Sequence, residues 1–218
     1  RCKPYLYSVA GYATILMRVR LTKIILSAVT ACYVLLVCFN NTVDYDANFQ
    51  FVRHVLSMDD IFSREKNGWR SLTSEWMHHA AYLLIIAVEY AIAILLVRGT
   101  WSMWRSRHAE AAVFRHAGRH TAWGYLAAFL LWFGIFVVAA GEWFLMWQSQ
   151  KWNGDATAFT LSIVWLLMLI QHNLKESIQE CKAAIRLLHG RLPGARRALQ
   201  PGDPRAPSSS RTHCFRRQ

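Results

Sequence analysis

The sequence predicts an all-α protein, a four-helix transmembrane bundle with both termini cytoplasmic and a short amphipathic helix in the first outer loop. Three observations predict it. Four apolar runs, at 21–40, 80–97, 121–141 and 156–172, each reach the length of a membrane span, roughly 17–25 apolar residues at ~1.5 Å rise. The stretches Val34–Phe39 and Leu126–Ala140 also lack the polar stripe that a core helix turns to water. In lipid every backbone N–H and C=O must be satisfied within the segment, so runs of this length are helical. Finally, basic residues fall on alternate sides of the runs.

That alternation sets the orientation. Arg1, Lys3, Arg18, Arg20 and Lys23 precede or edge the first run, and five arginines lie between the second and third. Ten more Lys and Arg follow the fourth run. The 41–79 connection instead has four basic and six acidic residues, and 142–155 has only Lys151 against Glu142 and Asp155. Lys and Arg mark the cytoplasmic side. Both termini and the 98–120 connection are therefore predicted inside, and 41–79 and 142–155 outside. The net charge of +12 thus reads as topology and attraction to anionic headgroups, and no nucleic-acid partner is expected.

Along the chain, residues 1–16 read as an upstream extension before Met17, and 17–174 as the membrane domain. In the first outer loop Phe49, Val52, Val55 and Leu56 recur at helical spacing, which predicts an amphipathic helix lying on the outer membrane face or capping the bundle. Asn67-Gly68 marks a turn, and Thr73 or Ser74 offers an N-cap for the second span. The third span carries Gly124, Leu131, Gly134, Val138 and Gly141 near one face, and small residues at such spacing let backbones approach in lipid. Asp155 is the expected N-cap of the fourth span. Residues 175–192 are predicted to form a cytoplasmic amphipathic helix, and the Pro-, Gly-, Ser- and Arg-rich 193–218 a disordered basic tail. Trp69, Trp76, Trp143, Trp147 and Trp152 gather at the outer boundary and Trp101, Trp104 and Trp123 at the inner one, as aromatic belts. Trp132 and Trp165 are expected to lie deep.

Candidate chemistry is sparse. Glu89 lies midway along the second span, where an ionisable group is expensive and is by default a functional hypothesis. His78 and Tyr82 precede it on nearly the same face, so the three form a proton- or ion-path candidate reaching from the outer surface. The competing reading is a neutral carboxylic acid that holds helices together through hydrogen bonds. Thr30 and Tyr33 of the first run, and Ser162 and Trp165 of the fourth, are expected at its depth.

The outer histidines His54, His78 and His79, with Glu142 nearby, offer zinc- or copper-ligand types. Their spacing is not a ligand motif, and adjacent His78 and His79 point to different faces of a helix. No metal and no cofactor is expected. Asp44, Asp46 and Asn48 open like a calcium loop, but Phe49 takes the required glycine position and Val55 that of the bidentate glutamate. They read as a turn cluster instead. Five cysteines include no CxxC pair and none on the outer side, so zinc and disulfide frameworks are unsupported. No GxSxG, P-loop, dinucleotide glycine pattern or HExxH is present, which leaves no named catalytic residue.

Three stretches carry a family resemblance. They are Phe39-Asn40-Asn41 through Asp44-Tyr45-Asp46 to the segment from Asn48 to Asp59; His78-His79-Ala80-Ala81-Tyr82 with Glu89; and Gly141-Glu142-Trp143-Phe144 through Gln150 with Trp152-Asn153-Gly154. Together they resemble a bacterial family of predicted small integral membrane proteins, domain of unknown function 2165, over about 18–174. The resemblance implies a multi-pass inner-membrane protein and brings no catalytic residue or cofactor with it. Asp44, Asp46, Asn48, His54, Glu142 and Trp143 are its outer-face candidates.

The functional expectation is a non-enzymatic or accessory inner-membrane component, whose partners are the lipid bilayer and other membrane-protein subunits. The alternatives are a small transporter or proton conductor using Glu89, and a metal-binding or redox protein at the outer histidines.

Overall fold

The computed structural model describes the backbone of residues 3–190, with side chains for Thr14 and for 16–173. The chain divides into Arg1–Lys175 and Glu176–Gln218, and the first unit holds the bundle. Its elements are α1 (Lys3–Val43), α2 (Tyr45–Ser57), α3 (Glu75–Arg105), α4 (Ala111–Trp143) and α5 (Asp155–Gly190). The expected tail at 193–218 lies outside the described residues. So do the side chains of most of 1–16 and of 175–192.

Four stretches are long and apolar enough to cross a membrane: Leu16–Val43, Glu75–Arg105, Ala111–Trp143 and Asp155–Asn173. Each has at least 19 residues, about 28 Å of helix or more, enough for a hydrocarbon core of about 30 Å.

Neighbouring helices run antiparallel in a register that hydrogen bonds define. Ser27 Oγ meets Thr100 Oγ1 at 2.5 Å, Asn41 Nδ2 reaches Glu89 Oε2 at 2.7 Å, and Thr42 Oγ1 meets Tyr90 OH at 3.1 Å, so α1 climbs as α3 descends. Small residues set the α3–α4 crossing. A Cβ on Gly99 would come within 2.6 Å of Thr121 N, and one on Gly124 within 2.8 Å of Leu96 Cδ2. Gly141 similarly admits Asp155. Two of the expected interface residues of the third span do not serve there: a methyl added at Gly134 would meet nothing within 4 Å, and Val138 is exposed. The reason is a change of helical pitch. From Leu130 to Trp143 the helix widens to i→i+5 bonding, closed by Phe144 N donating to Ala139 O at 3.0 Å. A wider turn shifts the facing stripe away from the 3.6-residue period.

The central core takes residues from all four spans: Ala31, Val34 and Cys38 of α1; Ile92, Ala93 and Leu96 of α3; Tyr125, Ala128, Leu131 and Trp132 of α4; Ala158 and Trp165 of α5. Trp132 and Trp165 are thus deep, with ring centroids 5.6 Å apart.

Polar clusters lie on either side of this apolar layer. Toward the α2 end are Asn41, Tyr82 and Glu89. Toward the other end, Lys23, only 2% exposed, donates from Nζ to His172 O at 2.7 Å. There His172 Nε2 also meets Gly118 O at 3.1 Å, and Thr30 Oγ1 meets Tyr125 OH at 3.3 Å. Thr30 therefore serves this lower cluster and not Glu89, against the depth expected for it. The α1–α3 register puts Asn41, eleven residues further along α1, beside the carboxyl group.

Candidate functional site

The α2 end of the bundle is a constructed cap. Phe49, Val52 and Val55 of α2 are buried, as the helical spacing predicted, and Phe49 and Val52 pack with Tyr82 of α3. The chain leaves α2 through Met58 in the left-handed region, φ 52°. The second loop turns through Leu145 in the same region, φ 55°. Such a conformation costs a non-glycine residue about 1–3 kcal/mol. Met58, Leu145 and Ile61 bury against one another, so the two strained corners are held by one apolar contact.

Hydrogen bonds then clasp the loops together. Ser149 Oγ donates to Asp60 Oδ2 at 2.6 Å, and Lys151 N donates to the same oxygen at 3.2 Å. Gln148 Oε1 accepts from Ser63 Oγ at 2.6 Å and from Ser63 N at 3.2 Å. His54 closes the cap: its Nδ1 lies 2.7 Å from Asp59 Oδ2, and its ring stacks on Trp152 at 4.4 Å. Asn153 Oδ1 accepts from Asp155 N at 3.0 Å. The residue expected as N-cap of the fourth span is thereby its first helical residue, where its carboxylate still favours the positive helix end.

The Ser149 hydroxyl, then the Lys151 and Gln150 amides, hold the Asp60 carboxyl below its ordinary value of 3.8. A depressed carboxylate stabilises the folded clasp above that value and loses the contribution as pH falls below it. Amide exchange at Ser149 and Lys151, taken relative to its intrinsic rate at each pH, is accordingly expected to accelerate below pH 3.8. In Asp60→Asn it should be fast already at neutral pH, with no acid step. An acid step that persists in Asp60→Asn would assign it to another group. Burial pushes the Tyr45 phenol up, so at neutral pH it is a neutral hydroxyl. It lies 2.9 Å from His79 Nδ1.

Below the cap runs a short chain of hydrogen bonds. Tyr82 OH donates to Asn41 O at 3.1 Å, and Asn41 Nδ2 donates to Glu89 Oε2 at 2.7 Å. Glu89 is only 3% exposed. Two of the three path candidates, Tyr82 and Glu89, are thus joined through Asn41. The third, His78, is also buried, but its Nε2 lies 2.7 Å from Leu72 O. There it pins the loop ahead of α3, and its Nδ1 has no hydrogen-bond partner.

The three candidate histidine ligands separate. His54 serves Asp59 and Trp152, His78 serves Leu72, and His79 stacks on Phe49 at 4.0 Å while meeting Tyr45. Among the described residues no group of three or more His, Cys, Asp or Glu could hold a metal ion. Of the other outer-face candidates, Asp46 accepts from Gln50 Nε2 at 3.2 Å. Asp44, Asn48 and Glu142 are exposed. Trp143 meets Trp69 edge to face at 6.0 Å.

Sequence reasoning passed over Asn41 as a partner of Glu89, and Asp60, Ser63, Gln148 and Ser149 as the clasp. The polar run Gln148-Ser149-Gln150 beside an apolar span was the available signal. It also placed Lys23 at a span edge, whereas the fold buries it.

Four membrane-length helices around a shared apolar core, closed at one end by a folded cap, define a multi-pass integral membrane protein. The chain belongs to the family described as predicted small integral membrane protein (DUF2165), whose model matches residues 19–175. No curated protein and no solved structure matches it significantly.

Proposed function

We propose that this protein is a non-enzymatic accessory component of the bacterial inner membrane. Its capped end faces outward, both termini are cytoplasmic, and the cap engages other membrane-protein subunits. The observation that carries this reading is the clasp. Residues 58–63 and 145–151 are fixed to each other by buried left-handed corners and by hydrogen bonds through Asp60 and Gln148. Loops that merely joined spans would need none of this, because connections are ordinarily mobile and solvated. The Lys and Arg distribution supports the orientation. In the same reading residues 17–174 form the membrane domain, followed by a cytoplasmic helix at 175–192 and a basic tail.

Affinity purification of the full chain from its own membrane at native expression tests this. A stoichiometric partner is expected, and it should be lost when Asp60→Asn and Gln148→Ala open the clasp. Recovery of the chain alone would count against the accessory role. A cysteine placed at Asn153 should react with an impermeant maleimide in intact spheroplasts if the cap faces outward.

A second reading, a small transporter or proton conductor, is favoured by the buried Glu89 carboxyl, bonded by the Asn41 side chain, with Tyr82 on the Asn41 main-chain carbonyl beside it. It needs a way past the layer formed by Val34, Ile92, Ala93 and Leu96, each 0% exposed. Glu89→Gln keeps the shape and the bond to Asn41 while removing the ionisable group. Conduction through this carboxyl predicts that proteoliposome proton flux falls to background in the variant, and flux equal to the wild type would dismiss it.

A further inference from the structure

We propose that the capped end also binds one anionic phospholipid, with an acyl chain in a groove between α2, α3 and α4 and its phosphate at Arg70. The groove has a volume of about 500 Å³, and every residue lining it is apolar, among them Leu56 of α2, Ile85 of α3, and Leu131, Ile135 and Phe144 on and after α4.

The dimensions favour a hydrocarbon chain. The lining follows α4 from Ala127 to Ala140 and reaches Phe144 beyond it, so the groove is elongated along the helix. An elongated and wholly apolar track matches an extended acyl chain.

Charge at the groove's end argues for the phosphate. Phe144 is the chain neighbour of Trp143, and the Arg70 guanidinium carbon lies 5.6 Å from the Trp143 ring centroid and 5.8 Å from that of Trp69. Leu72 N donates to Leu56 O at 2.8 Å, which ties the Arg70 segment to the groove-lining end of α2. Arg70 Nη2 donates to Asn67 Oδ1 at 2.5 Å, while its Nε is buried without a hydrogen-bond partner. Among the described residues no carboxylate lies within ion-pair distance of it. A half-buried guanidinium without a carboxylate partner is open to an anionic acceptor on its exposed side, and its fork matches a phosphate. Tryptophans at headgroup level frame it, and the groove leads from there into the hydrocarbon.

The full chain, reconstituted in phosphatidylcholine vesicles doped with a phosphatidylglycerol bearing a photoreactive acyl chain, tests the site. Labelling is expected to concentrate on Ile85, Ile135 and Phe144 over Val29 and Leu36, which are more exposed to lipid. Unlabelled phosphatidylglycerol should compete about tenfold better than phosphatidylcholine, the scale of one charge-assisted contact. Arg70→Gln should bring the two competitors to parity while the groove still labels. Even labelling of the whole apolar surface would overturn the proposal. So would equal competition in the wild type, or a groove cross-linked to a second copy of the chain.

Discussion

Gly99→Ala is expected to lower the melting temperature of the detergent-purified protein more than any other single added methyl in the spans. The new Cβ would sit 2.6 Å from Thr121 N and closer still to Thr121 Oγ1. Neither atom belongs to a flexible side-chain end, because Thr121 is 0% exposed and its amide is part of α4. Relief therefore requires α3 and α4 to part. Overpacking of this kind costs about 1–3 kcal/mol, and a clash against backbone belongs at the upper end. Parting the helices would also disturb the Ser27, Thr100 and Thr121 hydroxyls that meet there. Gly134→Ala is the control, since nothing lies within 4 Å of its added methyl. It should leave melting unchanged. Equal losses in both variants would attribute the effect to glycine flexibility and remove the close approach as its cause.

The second large effect is expected from Trp165→Ala. This indole is 1% exposed and lies against Trp132 at 5.6 Å and against Tyr33 and Tyr125 at 6.2 Å each. With Ala158 it is one of two fully buried residues that α5 places in the central core, and the larger by far. Truncation of a buried tryptophan costs about 3–5 kcal/mol. Here the loss falls on one helix, so α5 should loosen before the rest of the bundle. A cysteine at Ala158, read with a membrane-permeant maleimide, reports it. Its labelling should rise on the order of 10²–10³-fold in Trp165→Ala and far less in Trp165→Phe, which keeps an aromatic ring. If the two variants label alike, α5 is held by something other than this cluster.

The functional candidates show how far a linear reading reaches. Glu89 was legible because a carboxyl group within an apolar run conflicts with its surroundings, and that conflict needs no partner to be noticed. Asn41 was not legible as its partner. The 31 residues between Val43 and Glu75 contain α2, a one-turn helix and a 3₁₀ turn, and nothing along them states how α1 and α3 align. His78 and His79 were legible as polar residues near the start of a span. That they turn to Leu72 and Tyr45 depends on loop paths that no periodicity records. Arg70 read as one charge in a mixed loop, and only Trp69 and Trp143, 74 residues apart in sequence and side by side in space, single it out.

Lys23 carries the same lesson with the opposite outcome. Counted along the chain it is a basic residue at a span edge. In the fold it is buried, its ammonium group bonded to a carbonyl 149 residues away.

By itself the sequence determined the number of spans, their helical state and the amphipathic face of α2. These follow from local rules: hydrocarbon excludes unsatisfied backbone, and a helix returns to the same face every 3.6 residues. Only the tertiary structure decided which polar groups meet, where backbones touch at Gly99 and Gly124, and how two loops become a cap with a groove beneath it. Those outcomes depend on the rotation and register of helices far apart in the chain, and on a change of pitch within α4. Each of these is set by packing between segments, which composition and spacing along one segment do not contain.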